Sequence, residues 1–182
     1  LVRSAIIFSG IGALAGRSVL ETLPVLANGV FERGPAGLGF MTAAAGAGAA
    51  GAAIFKAVSQ AQKPGVFQPP VLSMVLLVPL LVASLSLVGG FATAVGFVML
   101  LGGSVTLLAI SLQSLVQMAI DDHFRGRVMG LWTTVSIGSG ALGAVIMGVL
   151  IDRIGVAPAQ ATIGLVLTGL SAVIILRFRQ RG

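Results

Sequence analysis

Apolar residues occur along the chain in six long blocks that are separated by short polar connections. A helix needs about 20 residues to cross a hydrocarbon core about 30 Å thick, and each block is close to or above that length. The blocks are too long and too continuously apolar to be the alternating strands of a membrane barrel, so they predict an all-α membrane protein. The six predicted spans are residues 5–27, 38–55, 71–88, 92–118, 128–151 and 161–176.

The composition supports this pattern. Hydrophobic residues make up 57% of the chain and charged residues 9%, whereas an ordinary soluble domain carries roughly 25% charged residues. The net charge of +6 comes from basic residues that are scattered over the connections, so membrane lipid is the expected surrounding and no nucleic-acid partner is expected. Because the chain has no cysteine, a disulfide framework and a thiolate metal site are excluded.

The basic residues also predict the orientation of the chain. If Leu1 is cytoplasmic, eight basic residues lie on the inner side and only Arg33 and Arg153 on the outer side, which favours both termini inside. The remaining cation, Arg17, falls within a span. The eight inner residues are Arg3, Lys56, Lys63, Arg125, Arg127, Arg177, Arg179 and Arg181.

Arg17 and Glu21 are charged side chains inside the first predicted span. They lie four residues apart, hence on one helix face, and each costs roughly 2.5–3.5 kcal/mol at the centre of a bilayer. Arg17 is expected about 18 Å into the span, with Glu21 nearer the outer surface. Two interpretations stay open. Glu21 accepts a proton or contacts a cation beside Arg17 in a transport pathway, or the two charges neutralise each other and only hold the span to its neighbours.

Polar and small residues suggest further contacts between the spans. Gln113 and Gln117 share a face near the cytoplasmic end of the fourth span, where they either hydrogen-bond a polar substrate or bridge helices. Small residues recur every four positions in two other spans, which predicts close packing of helix backbones. These residues are Gly39, Ala43, Ala47 and Gly51 in the second span and Gly140, Ala144 and Gly148 in the fifth.

The connection at residues 121–127 is dense in charge. A metal site is not expected there, because one histidine and two adjacent aspartates lack further ligands at a useful spacing. No cofactor is expected either, since the G-x-G-x-x-G letters of residues 46–51 lie within an apolar span with no strand before them. The polar residues of this connection are Asp121, Asp122, His123, Arg125 and Arg127.

Three stretches of the chain follow a recognisable order. They are LETLPVLA at residues 20–27 with GLGF at 37–40 and the Ala/Gly-rich run to Gly51, then RGRV at 125–128, then the Gly-rich segment 138–155. Together they resemble helices seven and eight, the cytoplasmic loop between helices ten and eleven, and helix eleven of the major facilitator superfamily, in its drug-exporter and siderophore-exporter-like branch. Residues 148–155 fit the letters G-x-L-x-D-R-x-G of the family's cytoplasmic motif, but the predicted orientation places them outside, so no gating role is assigned to them.

The resemblance implies the C-terminal half of such a transporter. That half has six helices in two three-helix repeats of inverted topology, here residues 1–89 and 90–182, and faces an N-terminal half across a cavity. It implies proton-coupled export of small amphipathic molecules by alternating access, in the bacterial inner membrane. Asp121, Arg125, Gly126 and Arg127 would form a cytoplasmic gate. The alternative for these residues is positive-inside anchoring with helix capping.

Two other functions are open to an all-helical membrane chain. An intramembrane enzyme needs a nucleophile with a base, or paired acids, within the membrane; the single histidine lies in a connection and Glu21 is a lone acid, so no enzyme is expected. The other is a non-transporting scaffold, or a half-transporter that acts only as a homo-oligomer. Because Leu1 is not a methionine and the first apolar segment holds two charges, we expect a fragment or half-protein, not a signal peptide.

Overall fold

The computed structural model describes residues 2–59 and 69–179, which form helices joined by short turns. This arrangement confirms the predicted all-α class for the described residues. The first span comprises α1 (Val2–Glu21), a short α2 (Leu23–Val25) and a π-helix (Leu26–Val30). The following helices are α3 (Gly34–Val58), α4 (Pro69–Leu85), α5 (Phe91–Met118), α6 (Asp122–Ile154) and α7 (Val156–Arg179).

Five helical stretches are long and apolar enough to cross a membrane, and they coincide with five of the predicted spans. The third predicted span, residues 71–88, forms α4, an apolar helix of 17 residues. It ends at Leu85 because residues 86–88 tighten into turns in which each N–H bonds the carbonyl three residues before it. The five stretches are Val2–Val30, Gly34–Val58, Phe91–Met118, Asp122–Ile154 and Val156–Arg177.

The first span is interrupted at Thr22. Pro24 has no N–H with which to continue the helical ladder, and the Thr22 hydroxyl donates to the carbonyls of Ser18 and Val19 at 2.8 and 3.1 Å. The chain then continues through α2 and a π-helix, a rare form with wider hydrogen-bonded turns. Glu21 is therefore the last residue of α1 and stands directly before a discontinuity.

Residues 122–127 of the charged segment are helical and only Asp121 precedes the helix, so the prediction of a loop over 121–127 is wrong. α5 ends at Met118 and α6 begins at Asp122. An acidic residue in the first turn and an Asp122–Arg125 ion pair at 2.7 Å both favour helix at this end. With 33 residues, α6 is about 50 Å long, longer than a hydrocarbon core of about 30 Å, so its charged first turns extend beyond the apolar part.

α1 lies at the centre of the bundle, where it contacts α4, α5, α6 and α7. In the first span 61% of the apolar segment is buried inside the chain, whereas in α3 and in α6 only 17% is. α3 packs mainly on α5, α6 on α1, and α7 on α4. The outer helices α3 and α6 thus leave most of their surface uncovered by the rest of the described chain.

Small residues bring these helix pairs together, and the predicted stripes account for only part of the close contacts: Gly140 is buried on α6 against Arg17 of α1. A Cβ on Gly48 of α3 would overlap the Met99 carbonyl of α5, and one on Gly143 of α6 would lie 2.5 Å from the Leu14 carbonyl of α1. In the predicted stripes, by contrast, Gly39, Gly51 and Gly148 have no atom within 4 Å of an added Cβ. The packing seam of α3 lies one residue to the side of its stripe, on the face that holds Gly48.

Candidate functional site

A cleft of about 280 Å³ opens between α1, α5 and α6. Each of the three helices contributes both polar and apolar side chains, although the sequence around them is strongly hydrophobic. A concave site with a mostly apolar wall and a few convergent polar groups is the usual form of a small-molecule site. Its lining consists of Ser9, Gly12, Ala13, Arg17, Val105, Leu108, Ala109, Gln113, Trp132, Ser136 and Ile137.

Arg17 reaches this cleft from α1 by crossing α6 at Gly140. A Cβ at Gly140 would lie 2.5 Å from Arg17 Cδ and 3.4 Å from its Cβ and Cγ. Only a residue without a side chain leaves this space, so Gly140 accommodates the aliphatic part of the arginine. Among the residues that the structure describes, Arg17 forms no ion pair.

Hydrogen-bonding groups come from all three helices. Ser9 of α1 and Ser136 of α6 form a hydrogen bond of 2.8 Å between their hydroxyls, in which either can be the donor. Gln113 of α5 is half-buried on the opposite helix and brings an amide that can donate and accept. These groups give the cleft several ways to bind a polar part of a ligand.

Trp132 lines the cleft on its apolar side, together with Leu108 of α5 and Ile137 of α6. The indole is only 6% exposed, so it packs inside the bundle. The part of the indole that stays accessible is rigid and apolar, so it offers the apolar end of a ligand an edge on which to pack.

The four residues predicted for a substrate or proton pathway separate into two groups. Arg17 and Gln113 line the cleft together. Glu21 is exposed at the end of α1 and Gln117 is exposed near the end of α5, and neither lines the cleft. Within the described residues Glu21 also forms no ion pair with Arg17, although the two lie four residues apart on α1.

Sequence reasoning did not single out Ser9, Ser136 or Trp132 as residues of a site. The two serines could have been noticed in the sequence, because a hydroxyl within an apolar span is expected to hydrogen-bond a partner on another helix. Their pairing joins residues 127 positions apart, however, and no local pattern indicates that distance.

The predicted gate residues lie together at the start of α6. Asp121 is the residue before the helix, and Arg125 pairs with Asp122 at 2.7 Å, with side chains 52% and 86% exposed respectively. Arg127 and Gly126 are exposed, and an added Cβ on Gly126 would meet nothing within 4 Å. These charges therefore face away from the rest of the described chain.

No group of three or more potential metal ligands comes together within residues 2–59 and 69–179. The cleft itself contains no carboxylate, histidine or cysteine among its lining residues. Its chemistry is that of one guanidinium, one amide and two hydroxyls against an apolar wall.

A family model described as transmembrane secretion effector matches residues 1–181, which is almost the whole chain. No curated protein and no solved structure matches. The family match confirms the prediction of a membrane transporter of the major facilitator superfamily, which is a family of transporters and not of enzymes. The chain belongs to the transmembrane secretion effector family of major facilitator superfamily transporters.

Proposed function

We propose that the chain is the C-terminal half of a secondary transporter that exports small amphipathic molecules in exchange for protons, by alternating access. The observation that carries this proposal is the cleft between α1, α5 and α6, which the exposed Arg17, the half-buried Gln113 and the Ser9–Ser136 pair line together in an otherwise apolar chain. Polar groups within membrane spans are expensive and usually mark a substrate or ion pathway. The family description, which names secretion, agrees with export.

The packing of the helices supports two inverted repeats, at residues 1–89 and 90–182. Suppose that α1, α3 and α4 correspond to α5, α6 and α7. When the two repeats are exchanged, the α3–α5 pair corresponds to the α6–α1 pair, and the α1–α5 and α4–α7 pairs each correspond to themselves. The structure contains all four pairs.

Single contacts agree with this relation. The two repeats are offset by about 91 residues, half of the chain, so Gly48 corresponds to Ser139 and Gly103 to Gly12. The close approach of Gly48 to Gly103 therefore predicts a close approach of Ser139 to Gly12. Ser139 in fact lies against Gly10, two residues from the expected position. In this arrangement α4 would also cross the membrane, in addition to the five longer helical stretches, which gives six spans in all.

The uncovered faces of α3 and α6 support a partner for this half. Gly39, Ala43, Ala47 and Gly51 are exposed along one side of α3, and an added Cβ on Gly39 or Gly51 would meet nothing within 4 Å. Small residues on a membrane helix allow another helix to approach closely. The proposed partner is an N-terminal six-helix half, and substrate would then be enclosed between the two halves.

The same faces favour a second candidate, in which two copies of the chain pair and act as an oligomer. Light scattering of the detergent-solubilised chain at several concentrations distinguishes the two. A mass that stays at that of one chain favours the N-terminal half as partner, and a mass that doubles with concentration favours self-association.

The ends of the helices support an orientation with both termini in the cytoplasm. Lys56 and Ser59 at the end of α3 lie beside Pro70 at the start of α4, in a cleft shared with Ser111 of α5. Arg33, by contrast, lies at the other end, with its guanidinium 5.4 Å from the Phe91 ring centre. The more basic end, which also bears Arg125 and Arg127 at the start of α6, is the one expected inside.

The gate assignment rests on this orientation. Arg125 and Arg127 would hold the cytoplasmic ends of the two halves through acidic groups and helix ends while the outer side is open. Their exposure on the first turns of α6 leaves them accessible to such partners.

Transport in lipid vesicles tests the proposed function. The complete protein is reconstituted, a pH gradient is imposed, and the movement of a panel of fluorescent amphipathic compounds is followed. We expect movement of at least one compound against its gradient, and loss of this movement when a protonophore collapses the pH gradient. Movement that is identical in protein-free vesicles would contradict the proposal.

A further inference from the structure

We propose that the cleft binds the anionic oxygen group of its substrate at Arg17, with the apolar body of the substrate against Trp132. The inference rests on the proposed transport function and names the class of substrate: an amphipathic anion, such as an aromatic or aliphatic carboxylate. Such a molecule has one charged end and one apolar end, and the cleft offers a matching surface to each.

The charge of the cleft is the first argument. The chain has five acidic residues, Glu21, Glu32, Asp121, Asp122 and Asp152, all within the described residues. None of them lines the cleft, and none pairs with Arg17. A guanidinium stays protonated in proteins, so the described cleft carries an uncompensated positive charge. An anionic ligand would neutralise this charge.

The position of Arg17 is the second argument. Gly140 leaves room for the aliphatic part of the arginine, so that α6 restricts its path from α1 into the cleft. The guanidinium at the end of this side chain can form two parallel hydrogen bonds to a carboxylate. The amide of Gln113 and the paired hydroxyls of Ser9 and Ser136 lie in the same lining and can hydrogen-bond the remaining oxygen positions.

The apolar wall is the third argument. Trp132, Leu108 and Ile137 line the same cleft as the charged and polar groups. An aromatic or aliphatic body in contact with them removes apolar surface from water. The volume of about 280 Å³ is close to the lower limit of ligand pockets, about 300 Å³, which fits a small molecule with a single ring.

A matched pair of probes tests the inference. The carboxylate 4-phenylbutanoate and the neutral amide 4-phenylbutanamide have nearly the same shape and differ in charge. Binding of each to the detergent-solubilised protein is measured by equilibrium dialysis at neutral pH, where the acid is ionised. Trp132 is the only tryptophan among the 182 residues. A change in the tryptophan fluorescence of this chain when a probe is added is therefore a second measure of binding in the cleft.

We expect the carboxylate to bind at least about tenfold more tightly than the amide, because its hydrogen bonds to the guanidinium are charge-assisted. Arg17→Gln should remove this preference and leave the affinity for the amide within about twofold. Arg17→Lys should keep part of the preference, since a lysine supplies the charge but not the planar pair of donors. Arg153→Gln, at the exposed far end of α6, is the control and should behave as the unchanged protein.

Equal binding of the two probes to the unchanged protein would overturn the inference, as would no binding of either probe or a preference that survives Arg17→Gln. The two probes would bind equally if an acidic residue of the partner half paired with Arg17, because the cleft would then carry no net positive charge. Export of the same probes by vesicles separates the two proposals. Equal export of both probes leaves the transport function standing and removes the charge preference, whereas a clear preference in binding without export keeps the anion site and contradicts transport.

Discussion

Arg17 of α1 lies across Gly140 of α6, where a Cβ would come within 2.5 Å of its Cδ. The two residues are far apart in the chain, and they meet because α1 and α6 run side by side through the bundle. The glycine thus leaves the space that the aliphatic part of Arg17 occupies beside the cleft. A substitution at Gly140 can therefore test whether the position of Arg17 matters while leaving the charge of the arginine unchanged.

Gly140→Val should displace Arg17 from the cleft and reduce the binding of an anionic probe at least about tenfold, because the valine side chain would occupy the space of the arginine's aliphatic part. The measurement is equilibrium dialysis with 4-phenylbutanoate. Gly169→Val is the control: Gly169 is exposed on α7, and an added Cβ there meets nothing within 4 Å. Equal loss of binding in both variants would show a general effect of valine on the bundle instead of a local one.

Glu21→Gln should abolish proton-coupled transport by the complete protein while leaving expression intact. Glu21 ends α1 directly before the break at Thr22 and forms no ion pair within the described structure. A carboxyl group at such a position can take up and release a proton, and the amide cannot. The measurement is substrate-dependent proton movement in reconstituted vesicles.

Glu32→Gln is the matched control for this prediction, because Glu32 is an exposed acid that lies outside the helices, in the turn between the π-helix and α3. Unchanged coupling in Glu21→Gln would remove Glu21 from the mechanism. The coupling proton would then have to be carried by acids of the partner half.

Gly48→Val should destabilise the packing of α3 on α5. Its Cβ would overlap the carbonyl of Met99, which is a backbone atom and cannot rotate away. Overpacking of this kind costs typically about 1–3 kcal/mol, so the midpoint of unfolding in detergent should fall. Gly46→Val lies on the same helix with open space around its Cβ and should change the midpoint little. Similar midpoints for the two variants would argue against the close approach at Gly48.

Arg127→Gln should slow transport without lowering the stability of the isolated chain. Arg127 is exposed at the start of α6 and forms no ion pair within the described residues. If it holds the cytoplasmic gate in the complete protein, its loss changes the rate of opening and closing. Transport rate and unfolding midpoint are measured together, with the exposed Arg177→Gln of α7 as control. Equal transport rates in the two variants would favour simple anchoring of the chain.

Much of the fold could be predicted because the bilayer requires it. Long apolar blocks must become helices, since a backbone in lipid has to satisfy its own hydrogen bonds. The blocks of residues 38–55, 92–118, 128–151 and 161–176 each lie largely within one observed helix. The ends of the helices were harder to predict. The charge at residues 121–127 suggested a loop, whereas Asp122 and Arg125 pair along the first turn of α6 and favour helix.

The composition and the apolar blocks by themselves determined a helical membrane protein, the resemblance of its motifs indicated a transporter, and the polar residues within the spans singled out Arg17 and Gln113 together with Glu21 and Gln117. Only the tertiary structure decided that Arg17 and Gln113 share a cleft, that Gly140 makes room for Arg17 and that Ser9 pairs with Ser136. The physical reason is the range of each constraint. Hydropathy acts through every residue's own contact with lipid and can be read locally, whereas a cleft depends on which helices pack together and on their relative rotation, and these follow from close contacts such as that of Gly143 with Leu14.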